Sequence, residues 1–193
     1  MIYDICTDNY SAFQIFEKNK LKPRAYFIPF QDRKSSETVS LCDERYKSNL
    51  VKVLNGKWDF KYYPKFSDMP KRFDTSIVDF DEVNVPSMWQ YTGYEKPYYI
   101  NQNYPFGRKP PKIPTDDPVG LYKTIRNGKW TPLTVDNIYN SVGVYRKKIE
   151  IFDTEKIFII SFLGCSSCLE LYVNGSFHGY SEGSHNTAEF NIT

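Results

Sequence analysis

Histidine is nearly missing from this chain. Only His178 and His185 occur in 193 residues, which excludes a zinc centre built on four histidines. An excess of one charge is missing too. The 25 Lys and Arg stand against 23 Asp and Glu, so the basic surplus of a nucleic-acid binder driven by bulk charge is absent and no such partner is expected. Long apolar runs are absent. The longest, Ile157 to Ile160, is strand-sized, far short of the roughly 20 residues a membrane helix needs, so no membrane partner is expected. The start, Met1-Ile2-Tyr3-Asp4-Ile5-Cys6, has no basic stretch and no long apolar stretch, and does not read as a signal peptide. A cytoplasmic setting with reduced thiols follows as the expectation.

Cysteine is sparse, at Cys6, Cys42, Cys165 and Cys168. The Cys165-Ser166-Ser167-Cys168 spacing suits a redox pair or half a zinc site. There is no second such pair and no thioredoxin-like βαβ pattern around this one, so it reads as two thiols at a strand start. A glycine-rich phosphate loop is also lacking.

Aromatic residues are abundant. They make up 17% of the chain, with 16 Tyr, 14 Phe and 3 Trp, and they accompany 12 Pro, which favours short strands and turns over helices. Lys57-Trp58-Asp59-Phe60-Lys61-Tyr62-Tyr63 alternates with a period of two, placing Trp58, Phe60 and Tyr62 on one face, and Pro64 ends the run. It follows Val51-Lys52-Val53-Leu54 and the turn signal Asn55-Gly56. Further strands are expected at 80–86, along the alternating stretch 142–152, and at 157–162, which is apolar on both faces like a central sandwich strand. Leu169–Val173, Asn174-Gly175 and Ser176–Tyr180 form the clearest hairpin signal. His178 within it is expected to face solvent. A last strand begins at Ala188, and the sequence stops within it, which suggests a fragment of something longer. Short strands and turns at this spacing predict an all-β sandwich.

Residues 1–48 differ in character. They are polar and mixed, with weak helical potential at 9–16, an extended stretch at 24–28 bracketed by Pro23 and Pro29, and a charged surface excursion at 31–48. They read as an N-terminal arm packing on the sandwich or on a partner, with the domain proper at 49–193. Asn55-Gly56-Lys57-Trp58 recurs as Asn127-Gly128-Lys129-Trp130, but no constant period supports a repeat array.

The segment Pro86 to Pro118 is the most suggestive for chemistry. Its first part is crowded with Trp89, Tyr91, Tyr94, Tyr98, Tyr99, Asn101, Asn103 and Tyr104. Aromatic faces cover the C–H faces of a sugar, and amides bond its hydroxyls. The competing reading is that these rings pack the loop onto its own sandwich. Glycoside hydrolysis needs two carboxylates, and no spacing here marks such a pair. Ser184-His185 are neighbours, and neighbouring strand residues face opposite ways, so they do not form a nucleophile–base pair.

Four stretches, in order, resemble the N-terminal region of bacterial β-galactosidases of glycoside hydrolase family two. They are Pro23–Phe30, Leu54–Phe60, the Val85–Pro105 loop, and Leu171–Gly175 continuing through Gly179–Phe190. The resemblance covers nearly the whole chain. It implies a jelly-roll β-sandwich of the galactose-binding-domain kind. In the family that domain is followed by immunoglobulin-like domains and a barrel holding the catalytic glutamates and the Mg2+ ligands. No catalytic residue is then expected in this segment. The parent would be a retaining glycosidase acting on terminal β-galactosides such as lactose, and a homo-oligomer. Substrate contact is implied for Asn101, with Tyr99 beside it, Trp89 as an aromatic wall, and Glu182 and His185 in the turn after the hairpin. In some members an Asp in that turn touches substrate and Na+. Gly183 stands at that position, so a sodium site is in doubt here, with Glu182 or His185 as the possible replacements. Residues 123–141 look like an insertion.

Two other readings stay open. One is a freestanding carbohydrate-binding module. The other is a structural domain for assembly of the parent, which the arm favours because weakly packed arms dock on neighbours. The sibling β-glucuronidases share the sandwich, so fold alone does not decide the sugar.

Overall fold

The computed structural model describes residues 1–5, 9, 12, 14–40, 42–95, 97, 140–151 and 155–193, and the backbone of 122–126 and 129–133. The described residues form an all-β fold. Twelve strands join into sheets of two or three strands, and the single α-helix is five residues long.

The aromatic strand sits at the centre of one sheet. β3 (Gly56–Tyr63) pairs antiparallel with β5 (Asp81–Val85) on one side and β8 (Val142–Arg146) on the other. Period-two alternation puts Phe60 at the bottom of this sheet, fully buried, against Tyr94 (4.8 Å between ring centroids) and Tyr145 (4.6 Å). Trp58 and Tyr62 on the same face are half-buried. β3 ends at Tyr63, just before Pro64.

Two expected strands are shorter or absent. Val51–Asn55 form no strand, so Asn55-Gly56 makes no hairpin. Gly56, at φ +105°, opens β3 instead, and Trp58 Nε1 reaches back to donate to the Leu54 carbonyl at 2.8 Å. β8 stops at Arg146 although the alternation runs on. Beyond it, Lys147 Nζ donates to the Lys57 carbonyl of β3 at 2.6 Å.

The second three-stranded sheet is built on the hairpin. β10 (Cys168–Val173) and β11 (Ser176–Glu182) pair around Asn174 (φ +49°) and Gly175 (φ +92°), the two positive values a type I′ turn requires. His178 does not face solvent as expected. It is half-buried, and its Nδ1 is closed off without a hydrogen-bond partner among the described residues, because this face of β11 is covered. β9 (Ile159–Phe162) pairs with β12 (Ala188–Asn191). β9 does not show, among the described residues, the two strand neighbours of the central strand that its apolar run suggests. Among the described residues β12 is its one strand neighbour, and Ile157 and Ile159 are exposed. The buried Phe190 of β12 lies directly over Gly179 of β11. A methyl group on Gly179 would sit 2.3 Å from the Phe190 ring, so the close approach requires glycine.

The first 48 residues are tied to the rest by backbone pairing. β1 (Ile2–Asp4) pairs with β4 (Arg72–Asp74), and β2 (Glu17–Lys18) extends the hairpin sheet beside β11. The buried Asn9 donates to Glu170 Oε1 at 3.0 Å. Arg24 forms a fork on Glu189, which is only 7% exposed: Nε donates to Oε2 at 2.8 Å and Nη2 to Oε1 at 2.7 Å. Of the weak helix at 9–16, residues 9, 12 and 14–16 are described, and they form turns rather than a helix. The 31–48 excursion contains α1 (Arg33–Glu37), started by Asp32, whose carboxylate accepts from the Ser35 N–H at 2.7 Å.

Within 123–141, β6 (Tyr122–Arg126) pairs with β7 (Lys129–Leu133), with Arg126 opposite Lys129. In the sequence Asn127-Gly128 falls between these two strands, as a hairpin signal would.

Candidate functional site

The Pro86 loop leaves β5 and turns back over the aromatic sheet. Trp89–Thr92 form a 3-10 turn, which Gly93 ends at φ +91°, a conformation that glycine adopts without strain. The turn brings the Trp89 ring over Phe60 (6.4 Å, interplanar 27°) and against Tyr62 (5.8 Å). Gly143 of β8 makes room for it. A Cβ there would lie 2.7 Å from Trp89 Cζ3. Tyr94 packs on Phe60 and Tyr62, and its hydroxyl donates to Asp81 Oδ2 at 2.9 Å. Tyr91, by contrast, is 81% exposed. Of the loop's described rings, Trp89 and Tyr94 are therefore spent on the sandwich, and Tyr91 faces outward.

Glu95 closes this turn, and the sequence reading did not single it out. Its Oε2 accepts from Trp89 Nε1 and Gln90 Nε2, both at 2.8 Å. Its Oε1 accepts from Ser141 Oγ at a longer 3.4 Å. Burial pushes the neighbouring Tyr62 phenol up from its ordinary pKa. The Ser141 hydroxyl opposes that shift, and the Glu95 charge adds to it. One signal could have found Glu95: it is the first charged residue after the uncharged, aromatic run from Pro86 to Tyr94.

The other candidate residues are placed as follows. Tyr99 and Asn101 lie outside the described residues, as do Tyr98 and Tyr104. Trp89 is half-buried, with one face on Phe60 and its N–H on Glu95. Glu182 is half-buried at the end of β11, and its Oε1 accepts from the Tyr180 hydroxyl at 2.5 Å. Burial, first, and this bond hold the fully buried Tyr180 far above the usual phenol pKa. His185 is exposed in the following turn. Among the described residues, no hydrogen bond or ring contact joins the Trp89 group to the Glu182 turn.

That turn does not fit a sodium ion held through residue 183. Gly183 sits at φ +99°, its N–H donates to the Ser167 carbonyl at 3.2 Å, and its carbonyl accepts from the Asn186 N–H at 3.0 Å. A Cβ there would lie 2.7 Å from Asn186 Nδ2. The position is shaped for glycine and has no carboxylate to give. Among the described residues no three His, Cys, Asp or Glu side chains gather as metal ligands would.

The cysteine pair sits behind the same turn. Cys165 lines a recess of about 10 Å³ with Phe162, Leu169, Ser181, Gly183, Asn186 and Ala188, about the size of one water and too small for a sugar ring. Surrounding protein pushes the Cys168 thiol up to about 11, helped by the charges of Glu182 and Glu170, and burial raises Cys165 as well. Both are neutral thiols at pH 7, unlike the lowered thiols of redox pairs. No described helix is long and apolar enough to cross a membrane.

Comparison with known proteins gives a consistent result. The family model described as "Glycosyl hydrolases family 2, sugar binding domain" matches residues 51–193. A protein of Actinobacillus pleuropneumoniae named β-galactosidase is 33% identical over 175 residues, covering 91% of this chain and 15% of the relative. Proteins of the same name from Vibrio vulnificus strain CMCP6 (35% identical, 72% of this chain, 12% of the relative) and Leuconostoc mesenteroides (35%, 81% and 14%) are similar to it as well. The chain thus spans 12–15% of the length of these relatives.

Proposed function

The chain belongs to the family of sugar-binding domains of family 2 glycosyl hydrolases, and from that premise we propose that it serves a β-galactosidase by presenting the loop after Pro86 to the terminal galactosyl group. The observation that carries this reading is the family match from 51 to 193, with relatives named β-galactosidase on the same stretch. The geometry lends support. Trp89, Tyr94 and Glu95 build a firm base from which the chain proceeds to Tyr99 and Asn101.

On this reading Asn101 bonds a sugar hydroxyl. An epimer that cannot pair leaves the amide unsatisfied, which is the source of discrimination. Tyr99 flanks it. Trp89 supplies an aromatic wall, and Glu182 and His185 reach the sugar from the turn after the hairpin. The two glutamates of a retaining hydrolysis and the Mg2+ come from other domains of the whole enzyme, which works in the cytoplasm as a homo-oligomer, with residues 1–48 as its arm.

The experiment is hydrolysis of a chromogenic β-galactoside by the enzyme carrying this domain and by the 193-residue chain alone. Turnover by the enzyme and none by the chain is the expected result. Turnover by the chain alone would overturn the division of labour. Tight galactose binding by the chain, seen by calorimetry, would favour a freestanding module, because one wall of a site forfeits most sugar contacts.

A further inference from the structure

We propose that Glu95 is a positioning residue for the sugar-facing segment, holding both ends of the excursion 96–140 at the edge of the aromatic sheet. The inference rests on the reading of Asn101 given above. Glu95 is the residue before this excursion and Ser141 the residue after it, and they are joined by the Ser141 Oγ to Glu95 Oε1 hydrogen bond across 46 positions of sequence. Tyr99, Asn101 and the β6–β7 hairpin all lie within the excursion.

The node is anchored from below. Trp89 and Gln90 both donate to Glu95 Oε2 at 2.8 Å, and the Trp89 ring is fitted between Phe60 and the bare backbone of Gly143. Glu95 takes neutral donors, the Trp89 indole, the Gln90 amide and the Ser141 hydroxyl, and the Tyr62 phenol bonds it as well. An apolar side chain at this corner would avoid the cost of desolvating a carboxylate. A carboxylate has the acceptor capacity to take the indole, the amide and the hydroxyl at once. Asn101 follows Glu95 by six residues, and on the reading above the root sets where its amide meets the sugar. A misplacement of about 1 Å is enough to cost a large factor in rate.

The test is a double-mutant cycle in the enzyme that carries this domain, with kcat and KM measured on a galactoside. Glu95→Ala should lower kcat/KM about tenfold when Asn101 is present and about twofold or less in an Asn101→Ala background, because the two residues act on one contact. Glu95→Gln should recover most of the activity. Its carbonyl can accept the indole and amide N–H groups, and its amide can donate to the Ser141 hydroxyl. Ser141→Ala leaves the Trp89 and Gln90 bonds intact and should show the same non-additivity with Asn101→Ala at a smaller size, which covers the case in which Glu95→Ala fails to fold. Equal losses in the two backgrounds, with Asn101→Ala itself severe, would overturn the positioning role alone. An Asn101→Ala enzyme with unchanged kinetics would overturn the loop reading and this inference with it.

Discussion

Arg24 and Glu189 are held together by two parallel hydrogen bonds of 2.8 and 2.7 Å, although 165 residues separate them. Glu189 is buried in β12, and its Oε1 also accepts from Ser161 Oγ at 2.7 Å. The Arg24 guanidinium lies 4.2 Å from the centre of the Phe27 ring. The Leu21 N–H donates to the Glu189 carbonyl at 2.8 Å, so backbone and side chain fasten the early chain at one point.

Arg24→Ala removes the cation and leaves a buried carboxylate with only the Ser161 hydroxyl. The expected loss is about 2 kcal/mol, below the full value for a buried pair because Arg24 is itself partly exposed. Urea unfolding of the chain measures it. A change within about 0.5 kcal/mol would mean that the fork adds nothing beyond an exposed ion pair.

Gly143→Ala places a methyl group 2.7 Å from Trp89 Cζ3 and 2.8 Å from Phe60 Cε2. Neither ring can retreat without disturbing the Glu95 node. The variant should lose about 1–3 kcal/mol, and its Trp emission should shift as the indole leaves its pocket. Native stability with native fluorescence would show that the ring is not held where the structure has it.

The Cys168 thiol, raised from 9.0 to about 11, favours the protonated form in the fold. A raised acid stabilises the folded chain below its unfolded value. That contribution is lost as pH climbs from about 9 to about 11. The thiolate is then scarce at pH 8, so alkylation there should be slow and should rise with pH. Peptide mapping after timed iodoacetamide treatment reads this out. Rapid labelling of Cys168 at pH 7 would contradict the assignment of a neutral thiol.

Gly183→Asp restores the carboxylate that some family members carry, but at φ +99° and against Asn186. The expected cost is about 1–2 kcal/mol in sodium and potassium buffers alike. Thermal melts in the two salts decide it. A stabilisation specific to sodium would show that the turn can accept the ion after all.

The parts of the fold that were legible in the sequence are those governed by local pattern. The alternation around Phe60 places β3, and Asn174-Gly175 places the β10–β11 hairpin, because positive φ at two successive residues admits little else. Contacts set by distant partners were not legible. Nothing near Val51 says that Asn55-Gly56 will open a strand rather than turn a hairpin, since that depends on β5 and β8 both pairing with β3. The apolar run of β9 likewise says nothing of how many strand neighbours it will have. In the candidate site, the aromatic crowding of the Pro86 loop was plain, but which rings turn inward was not. Trp89 and Tyr94 belong with Phe60 because Gly143 and Asp81 receive them, and Gly143 lies far off in sequence on another strand.

The central claim, that this chain presents a sugar-contacting loop to a galactosidase active site, is tested most directly by kcat/KM of the Asn101→Ala enzyme on a terminal β-galactoside. Loss of an amide–hydroxyl bond predicts a fall of about ten- to a hundredfold, with reduced preference for galactosides over the matching glucosides. An enzyme with kcat/KM and sugar preference both unchanged would contradict the claim.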